Sequence, residues 1–308
     1  MKLHQLRCIC EVVDHQLNVT DAAAAMYTSQ PGVSKQIRLL ESELGVPIFA
    51  REGKRLTAVT EPGSEIIRSA RRMLRETENI SRIGADFNNQ THGTLTLATT
   101  HTQARYVLPP VIQQFRQRFP DVFLQLRQGN PKQICEMTLR GEADIVIATE
   151  AVSAADGLIA LACYRWHHCV LVPPDHPLLQ QTTPLTLQDL ATHPIVTYDF
   201  AFAGRSLLNN AFLDAKLQPK IVLTALDADV IKTYVGLGLG IGLVADVAFD
   251  AQRDANLRRI SISHLFPAST TWVGIRRGSY LRRFIFDFVE LFAPHLNRAT
   301  LRAALNIE

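Results

Sequence analysis

The stretch "TDAAAAMYTSQPGVSKQIRLLESELGVPIFAREGKRLTAVT", residues 20–60, leaves the chain few ways to fold. It opens with a short alanine-rich helix for which Thr20 can serve as N-cap. A second helix follows within a few residues, with Ser29 as its cap, Pro31 in the first turn where missing N–H groups cost little, and Gly45 as its stop. Val33, Ile37, Leu40 and Leu44 recur at helical spacing and form its apolar stripe. "PIFAREGKRLTAVT" then places two short alternating runs around a basic, glycine-containing turn, the pattern of a hairpin. Leu3, Leu6, Cys10 and Val13 add an amphipathic helix in front. Two helices joined by a short turn and followed by a basic hairpin make a winged helix-turn-helix.

The start of the second helix is polar: Ser29, Gln30, Pro31, Ser34 and Lys35, then Arg38. A recognition helix needs side chains there that reach base edges or phosphates without bulk. Gln pairs bidentately with adenine, and Ser and Lys reach bases or phosphates. Arg51, Lys54 and Arg55 would sit at the wing, against phosphate or the minor groove. The alternative is a solvated polar helix face.

Residues 63–90 predict one long helix. Ile66, Ala70, Met73, Thr77, Ile80 and Phe87 lie near a heptad-like seam, with Arg71, Arg72 and Arg75 outside it. Few other elements lie nearby to cover the seam, so the spacing points to a helix-to-helix dimer contact, with packing on its own domain as the alternative.

From residue 93 the texture changes. Strand-like runs ("TLTLATT", "VFLQLRQ", "ADIVIAT") alternate with helical ones ("VIQQFRQRF", "PKQICEMTLRG"), a βαβα order that implies α/β layers with a mostly parallel sheet. A second such region begins near Tyr164 and runs to "IGLVAD". "TTWVGIRR" then reads as a strand and "YLRRFIFDFVELFAPHL" as a helix. The expected organisation is therefore 1–60 winged helix-turn-helix, 61–91 linker and dimerisation helix, 92–164 with 268–308 as lobe I, and 165–267 as lobe II.

Bulk composition excludes more than it assigns. The formal net charge of +3 is too mild to argue nucleic-acid binding, so any basic patch must be argued locally. The N-terminus is amphipathic and carries acids, unlike a signal peptide, and no apolar run reaches membrane-spanning length. Five cysteines, an odd number with no C-x-x-C pair, argue against a disulfide framework or structural zinc. A cytoplasmic chain with reduced thiols is the simplest expectation.

One polar cluster stands out. Thr99, Thr100, His101, Thr102 and Gln103 follow a strand's carboxyl end and precede a helix, the place where ligands gather in open α/β sheets. Helix-start N–H groups favour an anion, and Thr hydroxyls with a Gln amide donate hydrogen bonds without adding charge. A polar turn that only caps the helix is the alternative. "GLGLGIG" (Gly236 to Gly242) tempts a nucleotide reading, but a dinucleotide fingerprint needs a strand before and a helix after, and here the order is reversed. His167 and His168, adjacent in a strand, point to opposite faces and do not chelate together. Asp227 and Asp229 precede a helix and read as a cap and as charge at its positive end. No nucleophile, base or metal ligand set is grouped, so no catalytic or metal residue is assigned and the chain is not expected to be an enzyme.

The block "AAAAMYTSQPGVSKQIRLLESELGVPIFAREGKRLTAVTEPG" resembles the DNA-binding domain of LysR-type transcriptional regulators, and the two-lobe remainder resembles their periplasmic-binding-protein-like effector domain. "MKLHQLR", "YTSQPGVSKQIR", "TTHTQARY", "CYRWHHCVLVPPDHPL", "TYDFAFAGRS" and "DADVIKTYVGLGLGIG" are similar to the CysB/Cbl subgroup, with "RWHH", "ALDADVIKTYVGLGLGIGLVA" and "TEPG" leaning toward Cbl. The resemblance implies control of genes for cysteine biosynthesis and sulfate or sulfonate assimilation. It also implies binding to double-stranded promoter DNA, a homotetramer built as a dimer of dimers, RNA polymerase as a further partner, and an inducer between the lobes. Sulfate-like anions occupy that cleft in the subgroup, and the matching positions here are Thr100, Thr102, Gln103 and Thr149.

One position departs from the subgroup. Ala203 stands where a threonine usually precedes "GRS". A hydrogen bond to a charged partner is worth about 1.5–3 kcal/mol, so its loss weakens anion binding roughly tenfold to a hundredfold. A larger effector such as adenosine 5′-phosphosulfate then becomes more plausible than sulfate alone. The rival readings are a solute-binding or cytoplasmic anion-binding protein, an enzyme acting on a sulfur metabolite, and a LysR-type regulator that senses an unrelated small molecule.

Overall fold

The computed structural model describes residues 1–53, 55–88, 92–149, 151–199 and 203–305, with backbone only for 85–88 and 203–206. Lys54, expected on the wing, lies outside the described residues. The chain divides into two compact units, Met1–Asn88 and Asn89–Glu308.

The first unit holds α1 (Leu3–Asp14), α2 (Val19–Ala25), α3 (Gln30–Leu44), a two-stranded hairpin of β1 (Phe49–Glu52) and β2 (Arg55–Val59), and α4 (Glu61–Asn88). Leu6, Ile9 and Val12 of α1 meet Ala22 and Ala23 of α2, Val33, Ile37 and Leu40 of α3, and Phe49 and Leu56 of the hairpin in one core. The cap of α2 is Asn18, not Thr20. Its Oδ1 accepts from the Thr20 and Asp21 amides at 3.0 and 3.3 Å, so the helix starts one residue before Thr20. Ser29 caps α3 as expected, accepting from the Gly32 amide, and Gly45 ends it in the left-handed region at φ 71°. Leu44 is exposed; the buried stripe continues instead through Glu41. Thr60 caps α4 through the Gly63 amide (3.0 Å) and donates to the Pro47 carbonyl (2.6 Å). The early part of α4 packs on this core through Ile67, Ala70 and Leu74, and Arg71 donates to Asp14 at 2.5 Å. Met73, Ile80 and Ile83 are left exposed.

The second unit contains two lobes. Its elements in chain order are β3 (Gly93–Thr99), α5 (Leu108–Arg118), β4 (Val122–Gln128), α6 (Pro131–Arg140), β5 (Ile145–Ala148), β6 (Leu158–Trp166), β7 (His168–Val172), α7 (Leu187–Ala191), β8 (Pro194–Tyr198), α8 (Ala203–Asp214), β9 (Lys220–Ala225), α9 (Ala228–Gly236), β10 (Ile241–Ala245), β11 (Arg258–Ser261), β12 (Ser269–Arg276), α10 (Arg283–Phe292) and α11 (Arg298–Leu305). Lobe I carries the sheet β4-β3-β5-β12-β6 and lobe II the sheet β11-β7-β10-β8-β9.

The sheets are mixed rather than mostly parallel. β3 pairs parallel with β4 and β5, and β8 with β9 and β10, while β12 runs antiparallel to β5 and β6, and β7 to β10 and β11. The cause is the chain passing between lobes as strand rather than through a crossover helix. β6 ends at Trp166 and β7 begins at His168, so the first crossing is short, and the return runs between Ser261 and Ser269. α10 covers lobe I with Phe284, Ile285, Phe288 and Val289.

The glycine run after α9 is a helix-to-strand passage. A Cβ on Gly240 would lie 2.2 Å from the Pro194 carbonyl oxygen, so only glycine lets β10 start beside β8. Among the described residues, no helix is long and apolar enough to cross a membrane.

Candidate nucleic-acid interface and effector cleft

The polar start of α3 is presented to solvent. Pro31, Lys35 and Arg38 are exposed, as are Ser29 and Gln30, and the Gln30 amide donates to Ser34 Oγ at 3.1 Å. Gln30, Ser34, Lys35, Arg38, Leu39 and Ser42 line one shallow groove of about 620 Å³ along the helix. Val33, Ile37 and Leu40 on the opposite face fix that orientation, because burying them turns the polar positions outward. Arg55 is exposed where the wing re-enters β2. Arg51 is engaged internally: its guanidinium donates to Glu41 Oε2 at 2.7 Å. The other carboxylate oxygen of Glu41 accepts from the Ile48 and Phe49 amides at 2.9 and 3.1 Å. Glu41, which the sequence reading passed over, therefore staples the wing to the recognition helix. Its signal was an acid four residues after Ile37, on the buried stripe, with Arg51 ten residues further on.

In the second unit, β3 and β5 are neighbouring parallel strands, with Thr99 opposite Ile147. Thr100 and Thr149 therefore leave the sheet from the same carboxyl edge. Thr99 is committed elsewhere, donating to the Ile147 carbonyl at 2.9 Å. The chain turns helical at His101, and Ala104 N–H bonds back to the Thr100 carbonyl. The amides of His101, Thr102 and Gln103 thus lie in a first helical turn, where N–H groups lack intrahelical acceptors. Gln103 to Val107 then form one π-helical turn, a wide turn common at functional sites, before α5 begins.

Each predicted cleft residue has a distinct placement. Thr100 is buried, and Thr149 is half-buried after β5. Thr102 hydrogen-bonds the hydroxyl of Tyr198, the last residue of β8, so this wall of lobe I touches lobe II. Burial pushes Tyr198 up to about 12, against the Thr102 and Ala245 contacts, so its hydroxyl stays neutral. Gln103 is turned inward: its Oε1 accepts from Tyr164 at 2.6 Å and its Nε2 donates to Thr271 at 3.4 Å. Ala203 opens α8, on the segment that follows β8.

A charged junction lies beside this wall. Tyr106 OH donates to Asp229 Oδ1 at 2.5 Å, Arg105 Nε reaches Oδ2 at 3.4 Å, and Lys232 Nζ lies 3.3 Å from Oδ1. Burial pulls the Asp229 carboxyl upward, but the Tyr106 hydroxyl, Lys232 and Arg105 more than reverse that, so it titrates below its usual range. Asp227 caps α9 through the Val230 amide at 2.9 Å, as the sequence suggested. His101, Asp227 and Asp229 offer atoms within 4.8 Å of one another. The two cations on Asp229 and the capping duty of Asp227 already use those carboxylates, so they carry no metal assignment. His168 is buried, while His167 is half-buried.

Two families of comparison bear on this arrangement. Residues 3–64 match the bacterial regulatory helix-turn-helix protein of the lysR family, and residues 88–297 match the LysR substrate binding domain. The chain belongs to the LysR family of transcriptional regulators. Within it, the HTH-type transcriptional regulator CysB of Burkholderia cenocepacia is 52% identical over 308 residues, covering 100% of this chain and 98% of that protein. The regulator SsuR of the same organism is 52% identical over 305 residues, covering 99% of each. The solved cofactor-binding domain of the Cbl transcriptional regulator is 48% identical with a TM-score of 0.67, covering 70% of this chain and 94% of that one. These relatives put the chain in the CysB/Cbl subgroup and make it a DNA-binding regulator rather than an enzyme. Identity to CysB and SsuR, 52% each, slightly exceeds the 48% to the Cbl domain.

For a LysR-type regulator, the first unit is the DNA-binding head and the second the effector domain. Tyr164, Tyr198 and Asp229 are neighbours of the cleft wall that no pattern in the sequence marks. Tyr164 and Tyr198 sit in strands far along the chain, and nothing local marks a strand tyrosine as facing a loop in lobe I.

Proposed function

We propose that this LysR-type regulator controls genes of sulfur metabolism, for cysteine biosynthesis and sulfate or sulfonate assimilation, and that its effector is a small sulfur oxyanion metabolite bound between the lobes. Adenosine 5′-phosphosulfate and sulfate are the candidates. The observation that carries this reading is the set of neutral donors at the carboxyl edge of β3 and β5: Thr100, Thr102, Thr149 and the first-turn amides of His101 to Gln103, with Tyr198 of lobe II against Thr102. Neutral donors suit a fully ionised anion that must bind reversibly, because they satisfy its oxygens without a fixed counter-charge. Similarity to CysB, SsuR and Cbl supports the sulfur assignment.

On DNA, Ser29, Gln30, Pro31, Ser34, Lys35 and Arg38 enter the groove, while Arg55 and Lys54 touch backbone from the wing. Arg51 acts through the shape of the wing, because Glu41 holds it. The exposed Met73, Ile80 and Ile83 of α4 support a helix-to-helix contact within a homotetramer. The effector acts by binding one arrangement of lobes or subunits better than another, which respaces the DNA-binding heads for RNA polymerase.

A gel-shift series with sulfur-gene promoter DNA, with and without adenosine 5′-phosphosulfate, sulfate or thiosulfate, tests the reading. Promoter-selective binding whose affinity or footprint changes with one of the anions is expected. Binding to that DNA no tighter than to random duplex would sink the regulon, and indifference to all three anions would sink the effector class.

A further inference from the structure

The segment that carries Thr100 and Thr102 meets lobe II at two places: the Thr102–Tyr198 hydrogen bond, and the Asp229 carboxylate, on which three of its side chains converge. Asp229 lies in the first turn of α9, in lobe II. It is met by three consecutive-face groups from lobe I: the Tyr106 hydroxyl at 2.5 Å, Arg105 Nε at 3.4 Å and His101 Nε2 at 3.9 Å. Behind it, Lys232 bridges Asp229 to buried Asp254 (3.0 Å) and donates to the Ala248 carbonyl (3.1 Å), and its ammonium lies 4.8 Å from the Tyr106 ring centroid. The π-helical turn at Gln103–Val107 holds Arg105 and Tyr106, both of which reach this carboxylate. Lys232 and Asp254 belong to lobe II and are buried, so that side of the junction is rigid. The Tyr106 and Arg105 contacts, with the Thr102–Tyr198 bond beside them, are the part that must break if the lobes separate.

We infer that Asp229 is a positioning residue, a latch that holds the His101–Tyr106 segment of lobe I against α9 of lobe II and so sets how tightly an anion is retained beside Thr100 and Thr102. The retention half of this inference rests on the effector reading above; the latch itself does not. The apparent dissociation constant of a ligand that needs the closed cleft rises in proportion as the closed fraction falls. Loss of the Tyr106–Asp229 bond removes a charge-assisted contact across the cleft, and the expected loss of anion affinity is tenfold or more.

The test uses the full-length chain carrying Tyr106→Phe, Asp229→Asn, or both. Tyr106→Phe keeps the ring and its Lys232 contact and removes only the hydroxyl, so it does not depend on the chain tolerating a lost charge. Nitroxides at Gln117→Cys on lobe I and Gln218→Cys on lobe II, both exposed positions, report the interlobe distance by pulsed electron resonance after dilution with unlabelled chain. Each single variant should broaden and shift the distance distribution, with the double variant no further displaced than either single. Distributions that coincide with the parent in both singles would overturn the latch. Calorimetry with sulfate, thiosulfate and adenosine 5′-phosphosulfate reads retention: binding by the parent with a tenfold or greater weakening in the variants supports it, and equal affinity overturns it. A parent chain that bound none of the three would sink the effector reading, and the distance measurement would then decide the latch alone.

Discussion

The Tyr164 hydroxyl donates to Gln103 Oε1 at 2.6 Å, while Thr271 takes the other end of the same amide. This turns one member of the polar cluster from a free ligand donor into a brace that fixes where Thr100 and Thr102 stand. Tyr164→Phe leaves the buried Gln103 oxygen without its donor, so the effector domain should lose about 1–3 kcal/mol of stability. Urea unfolding of wild type and variant in parallel checks this; equal midpoints would show that the brace contributes nothing.

Glu41 binds the wing to α3 through Arg51 and two backbone amides, from a nearly buried position. Glu41→Ala strands the two buried amides and frees the half-buried Arg51, which costs about 1–3 kcal/mol. The expected result is an early unfolding transition of the DNA-binding head, with promoter affinity falling even though Glu41 touches no DNA. A head as stable as wild type would return Arg51 to the list of free phosphate contacts.

Lys35 and Gln30 separate two kinds of contact. Lys35→Ala should weaken promoter binding and lower the slope of log affinity against log salt by about 1. Gln30→Ala should weaken it by about 1–3 kcal/mol with the slope unchanged, because a base-edge contact releases no counterion. Fluorescence anisotropy across a salt series reads both. Unchanged affinity for both variants would remove the polar start of α3 from the interface.

His168 makes the effector domain acid-sensitive. Burial, helped by His167, lowers its pKa from 6.5 to about 4, and neither ring nitrogen has a hydrogen-bond partner. Between those values the unfolded chain binds a proton that the folded chain refuses, so stability falls as pH drops from about 6.5 to about 4, by about 1.4 kcal/mol per unit for one proton. His168→Phe keeps a ring against Trp166 and Phe266 and removes the titration. Unfolding free energies measured at several pH values should show a flatter acid limb in the variant; parallel limbs would assign the acid loss to other groups.

Much of this architecture was legible in the chain, for identifiable reasons. Ser29, Pro31 and Gly45 mark α3 because capping, proline tolerance and the left-handed stop act within a few residues. The alternation in "TLTLATT" marks β3 because one strand's periodicity is local. What escaped depends on distant partners. Asn18 displaced Thr20 as a cap because its side chain reaches two amides. β6 is a nearly unbroken apolar run without alternation, and its antiparallel pairing with β12 comes from residues more than a hundred positions later. In the cleft, Thr100 and Thr149 were legible as strand-end residues. The inward turn of Gln103 and the clasp on Asp229 were not, because the first is set by β6 and β12, distant strands of the same lobe, and the second by a contact between the two lobes.

The effector claim is tested most directly by calorimetric titration of the full-length chain with adenosine 5′-phosphosulfate, sulfate and thiosulfate, repeated on Thr100→Val, Thr149→Val and Ala203→Thr. The account predicts that at least one anion binds, that either valine variant weakens it tenfold or more, and that Ala203→Thr tightens sulfate by supplying a hydroxyl at the start of α8. Binding that is indifferent to Thr100 and Thr149, or no binding by any of the three anions, would contradict it.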